Sequence, residues 1–143
     1  MYPFERFDQD AKKVLVRAQG EAERSRHSYI GTEHVLLAII GSKTRAAHVL
    51  ERLGVEEPGV RATIEKVLGG NERVVVKQMI PTSRVKKVIE LAFGIAEQEG
   101  SPMVSSEHLL LGLIEEGQGI GAHVLADLGV TADAVARQRA EGS

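Results

Sequence analysis

The chain has 143 residues, 43% of them apolar and 27% charged, with a formal net charge of −2. That length supports a sizeable core, and the near-neutral balance gives no basis for binding nucleic acid. Cysteine is absent, which excludes disulfides, thiolate metal sites and a cysteine nucleophile and fits a reducing, cytoplasmic compartment.

Aromatic residues make up only 3%, so the core must be built from Leu, Ile, Val and Ala. No apolar run approaches the length that spans a membrane, and the first residues lack a secretory apolar segment.

Three aromatics, Tyr2, Phe4 and Phe7, open the chain. Phe7, just before the capping residue Asp8, reads as a packing residue. Tyr2 and Phe4 are candidates for an exposed apolar recognition patch. Ala11, Val14, Leu15, Ala18 and Ala22 fall at helical spacing and predict a first helix, which fades in the polar run 23–27. A second helix starts at Thr32 and stops at Gly41. A third covers about 43–53 and ends on Gly54. A fourth begins near Pro58 and ends at Gly69-Gly70.

Residues 71–81 read as a connection, with Val74-Val75-Val76 as a short extended piece that cannot make a sheet alone. Thr82 caps a fifth helix ending at Gly100. Ser106 starts a sixth ending near Gly117. A seventh runs over about 119–128 and is closed by Gly129, and Thr131 caps the last, over about 132–140. Gly20 and Gly94 sit inside long helices, off the apolar stripe, where each should cost about 1 kcal/mol relative to Ala.

The plan is stated twice. Gly31-Thr32-Glu33-His34-Val35-Leu36-Leu37 is echoed 74 positions later by Ser105-Ser106-Glu107-His108-Leu109-Leu110-Leu111. Lys12-Lys13-Val14 matches Lys86-Lys87-Val88 at the same offset. After one inserted residue in a Gly-rich loop, Ala47-His48-Val49-Leu50 matches Ala122-His123-Val124-Leu125. A single insertion confined to a loop is what a structural duplication tolerates. The fold expected is therefore all-α: two tandem four-helix repeats (7–70 and 82–143) in one domain spanning 1–143.

No phosphate-binding Gly-x-x-x-x-Gly-Lys-Ser/Thr loop is present. The five histidines form no metal pattern. Histidines duplicated at equivalent places, His34 with His108 and His48 with His123, are expected to belong to the packing plan. The paired lysines read as solvated helix faces. Glu33 and Glu107 have two readings. Acids in a first helical turn are favoured by the helix dipole. The same geometry offers free N–H groups and a hydroxyl to a phosphate, and a carboxylate to a guanidinium. One ligand carrying both groups is phosphoarginine.

Tandem copies of a hydroxyl-Glu-His-Leu-Leu core, each followed by a His-Val-Leu-x-x-Leu-Gly helix, resemble the N-terminal double Clp repeat of ClpC-type and ClpA-type AAA+ unfoldases. The likeness covers roughly residues 4–140. It implies a pseudo-twofold bundle of eight helices without cofactor, metal or catalysis. The implied partners are protein substrates and adaptors of a Clp protease, with no nucleic acid and no membrane. In ClpC-type members the repeat glutamates bind phosphoarginine. Carried over, that site is Thr32 and Glu33 in the first copy and Ser106 and Glu107 in the second.

This chain departs from the pattern at Ser105, where the first copy has Gly31, and at Pro81, where an aromatic is usual. Because glycine lets a ligand approach the backbone closely, Glu33 is expected to bind more tightly than Glu107. The 143 residues hold no ATPase module, so the resemblance implies either a domain of a larger unfoldase or a stand-alone Clp-repeat protein that captures tagged proteins or peptides. A small enzyme using Glu33, Glu107 or the histidines is a third reading without supporting spacing.

Overall fold

The computed structural model of the chain describes residues 4–24, 26, 29–68 and 80–142. Among these the chain forms eight α-helices. The first four are α1 Gln9–Arg24, α2 Thr32–Ile40, α3 Arg45–Arg52 and α4 Glu57–Leu68. The second four are α5 Ser83–Gln98, α6 Ser106–Glu116, α7 Ile120–Asp127 and α8 Ala132–Gly142. The all-α class holds. Tyr2 and the Val74–Val76 run lie outside the described residues. Phe4 opens a single 3-10 turn, Phe4–Arg6, and its side chain also lies outside them.

The helix ends follow the sequence signals. Asp8 Oδ1 accepts the Ala11 N–H at 2.8 Å, Thr82 accepts that of Val85 at 3.2 Å, and Thr131 that of Ala134 at 3.1 Å. Each bond satisfies one of the orphan donors of a helix start. Gly54, Gly100 and Gly129 stop their helices in the left-handed region, at φ of 81°, 70° and 77°.

α2 and α6 are the centre of the bundle. Every residue from Thr32 to Ile39 is buried, which is why α2 reads as a near-continuous apolar run rather than a stripe. Leu36, Leu50, Leu109, Leu110, Leu113 and Leu125 are fully buried in one cluster, each contributing roughly 1.5–3 kcal/mol. Phe7 packs edge-on against Phe93, ring centroids 5.3 Å apart. A Cβ at Gly20 or Gly94 would meet nothing within 4 Å, so nothing nearby requires glycine at either place.

The two copies interlock by exchanging the same contacts. β1 Tyr29–Ile30 pairs in parallel with β2 Ile80–Pro81, and Phe7 makes a parallel bridge to Val104. At the 74-residue offset Phe7 corresponds to Pro81 and Ile30 to Val104. The hydrogen bonds repeat too: the Thr82 N–H donates to the Ile30 carbonyl at 3.0 Å, and the Asp8 N–H to the Val104 carbonyl at 2.9 Å. Such reciprocity is the mark of a twofold relation. Two-residue strands are too short to show alternation, so the sequence does not forecast them.

Candidate functional site

The two motif helices start in the same way. In a capping box the third helical residue reaches back to the N–H of the capping residue, usually through Glu or Gln. Here histidine does so. Nδ1 of His34 accepts the Gly31 N–H at 2.9 Å, and Nδ1 of His108 accepts the Ser105 N–H at 2.9 Å. Both rings are buried, as the duplication suggests. His48 and His123 are exposed, so for that pair the packing expectation fails.

The motif hydroxyls do not cap their own helices; each caps the other copy's third helix. Thr32 Oγ1 accepts the Gly121 N–H at 2.9 Å, at the start of α7. Ser106 Oγ accepts the Ala46 N–H at 3.2 Å, at the start of α3. Both hydroxyl residues are buried. A Cβ at Gly121 would lie 2.8 Å from the Thr32 carbonyl oxygen, so glycine there permits the close crossing of α2 and α7. Thr32 and Ser106 thus hold the copies together, with their hydroxyls already engaged.

The motif glutamates differ. The Glu33 carboxylate curls back over its own helix start, where it occupies the space that a Cβ on Gly31 would need. The Tyr29 hydroxyl donates to it at 3.5 Å, and Glu33 is only 3% exposed. The opening that Gly31 offers is therefore filled by the chain itself, which removes the reason for ranking the first copy higher. In the second copy Ser105 fills that place, and its hydroxyl accepts the His108 N–H at 3.3 Å. Glu107 turns outward to a cleft of about 570 Å³ between α3 and α8, walled by Arg45, His48, Arg52 and Arg139.

Around that cleft runs a charged chain. Nδ1 of His108 accepts a backbone N–H, so Nε2 carries the proton and donates to Glu99 at 2.7 Å. Arg139 donates to both Glu99 oxygens, at 2.8 and 3.1 Å, and its Nε lies 3.6 Å from Glu107. The hydrogen bond from Arg139, reinforced by that from His108, lowers the Glu99 carboxyl to about 2, against the opposing effect of burial. Ser105 Oγ also lies 3.1 Å from His108 Nδ1. That nitrogen already holds the Ser105 N–H, so it cannot take a proton from the hydroxyl, and the array is a cap rather than a nucleophile with its base. Among the described residues no three His, Cys, Asp or Glu side chains are placed to hold a metal ion.

Arg45, Arg52, Glu99 and Arg139 are the residues that sequence reasoning did not single out. Arg45, His48 and Arg52 recur at spacings of three and four, a helical face that periodicity could have found. Arg139 sits in a polar last helix with no such signal. Among the described residues no helix is long and apolar enough to cross a membrane.

A profile of the Clp repeat (R) N-terminal domain matches residues 6–128 and 80–142. The chaperone protein ClpC1, chloroplastic, of Arabidopsis thaliana is 44% identical over 127 residues, covering 88% of this chain and 14% of the relative. The chain thus spans about one seventh of that chaperone's length. The N-terminal domain of ClpD from Arabidopsis thaliana has the same fold, with a TM-score of 0.77 at 21% identity over 96% of this chain and 94% of that one. A ClpV N-domain solved with a VipB peptide superposes with a TM-score of 0.63 at 17% identity, covering 90% of each chain. The chain belongs to the Clp repeat N-terminal domain family.

Proposed function

We propose that the chain is the substrate- and adaptor-docking N-terminal domain of a ClpC-type protein unfoldase, and that it recognises phosphoarginine-tagged proteins at Glu107. Family membership supports docking, as does the peptide complex of a ClpV N-domain of like fold. The unit is 1–143, with repeats over 7–70 and 82–143 joined through 71–81. A cytoplasmic location belongs to the same proposal, although the ClpC1 relative is named as chloroplastic.

One observation carries the ligand reading: Glu107 shares its cleft with Arg45, His48 and Arg52. A carboxylate takes a guanidinium by charge-assisted hydrogen bonds, and arginine forks suit the oxygens of a phosphate. Phosphoarginine carries both groups on one side chain. In the first copy the corresponding α7 residues are Ile120, His123 and Asp127, which supply no such cationic wall. Glu33, with Thr32 beside it, is accordingly the weaker site, and Ser106 acts by fixing α3 rather than by touching ligand.

Calorimetric titration with phosphoarginine and with plain arginine tests this. Phosphoarginine binds and arginine does not, and Glu107→Ala weakens binding at least tenfold, since loss of a charge-assisted partner costs about 1.5–3 kcal/mol. Unchanged binding in Glu107→Ala refutes the assignment.

A further inference from the structure

The carboxylate offered to a ligand already faces a guanidinium of the chain. Arg139 reaches Glu107 from α8 at 3.6 Å, and it is the one ion-pair partner of Glu107 among the described residues. Its side chain is 25% exposed and that of Glu107 12%, so the contact lies in the wall of the cleft rather than in open solvent. Glu99 holds Arg139 there through two hydrogen bonds.

We infer that Arg139 is an internal competitor for the Glu107 cleft, and that it sets the discrimination between phosphorylated and plain arginine. The inference rests on the Glu107 reading above. Plain arginine offers Glu107 only what Arg139 already supplies. Exchanging one guanidinium for another gains no Coulomb energy and still costs the entropy of association. A phosphorylated arginine adds an anion, which Arg45, His48 and Arg52 can bind and Arg139 cannot imitate. Arg139 need not leave the cleft to yield its place. Opening the 3.6 Å contact to Glu107 leaves both hydrogen bonds to Glu99 intact. The competitor therefore costs a true ligand only the worth of one partly exposed ion pair, a factor of a few in affinity. The first copy has no counterpart: the positions matching Arg139 and Glu99 are Ile64 and Ser25.

The test compares wild type, Arg139→Gln, Glu99→Gln and Glu107→Ala, each titrated with phosphoarginine and with plain arginine after a thermal melt shows it folded. Arg139→Gln is expected to bind phosphoarginine about three- to fivefold more tightly and to bring plain arginine into measurable range, so the ratio of the two affinities shrinks. Glu99 shares the Arg139 guanidinium with Glu107; Glu99→Gln removes that second charge, leaves Glu107 the stronger partner of Arg139, and is expected to weaken phosphoarginine binding a few-fold. A merely structural Arg139 would lower both affinities together and leave their ratio alone. If wild type binds phosphoarginine through Glu107 while Arg139→Gln binds it no better, the competitor role is overturned and the site reading stands. If neither wild type nor Arg139→Gln binds phosphoarginine, the site reading falls and the competitor role with it.

Discussion

Glu33 and Glu107 stand in the same motif, on the same turn of matching helices, and face different surroundings. Glu33 folds over its own helix start in the space left by Gly31 and is buried. Glu107 meets Ser105 at that place and turns to a cleft walled by arginines. The difference separates what the duplication preserves from what it leaves free. Preserved are the histidine caps within each copy and the exchanged hydroxyl bonds that join the copies. Free to diverge are the outer faces of α3 and α7, where Arg45 and Arg52 correspond to Ile120 and Asp127.

The largest expected effect falls where the copies differ internally. In the first copy the buried Glu21 pairs with Arg61 at 3.2 Å and with Arg24 at 3.5 Å, tying α1 to α4. The matching positions in the second copy are Ile95 and Ala136. Removing one partner of a buried ion pair costs about 3–5 kcal/mol. Arg61 is 40% exposed and Arg24 remains, so Arg61→Ala should cost about 2 kcal/mol in urea denaturation. A stability equal to wild type would show that the Glu21 charge is held without Arg61.

The exchanged hydroxyls should behave alike. Thr32→Val and Ser106→Ala each strand a buried N–H, of Gly121 and of Ala46, and each should destabilise by about 1–2 kcal/mol in the same assay. A loss confined to one of them would break the pseudo-twofold account.

Acid should separate the copies. Glu99 is held well below the usual carboxylate range, chiefly by Arg139. A lowered folded pKa gives stability that is complete above the unfolded value and is lost as pH falls through the interval from about 4.5 to about 2. Glu99 is 36% exposed, so screening limits the effect to about 1 kcal/mol. Comparing wild type with Glu99→Gln above that interval and at falling pH within it should show the difference shrink steadily toward acid. Ser25, the corresponding residue of the first copy, cannot titrate in this range.

The smallest effect is a gain. Gly20→Ala and Gly94→Ala meet open space, and each should stabilise by about 0.5–1 kcal/mol. A loss at either would reveal a close neighbour.

The sequence disclosed the fold because its signals are local and repeated: caps at Asp8, Thr82 and Thr131, glycine stops, and apolar stripes at helical spacing. It located the duplicated motif but not the surroundings of its two glutamates. Whether Glu33 or Glu107 faces solvent depends on the side chain at Gly31 or Ser105, and no periodicity registers that. The cleft joins α3 of one copy to α8 of the other, and only tertiary packing brings Arg45 and Arg139 to the same cleft. Thr32 and Ser106 misled for a related reason. A hydroxyl at a helix start normally caps its own helix, whereas here the acceptor serves a helix 89 or 60 residues away.

Among the described residues it is Glu107, and not Glu33, that lines an open cleft with both charges. The number of phosphoarginine molecules bound per chain, read from one calorimetric titration of the wild-type domain, tests it most directly. One tight site per chain is expected, with any binding at Glu33 much weaker. Two sites of equal affinity would contradict this, because they would require Glu33 to be as available as Glu107.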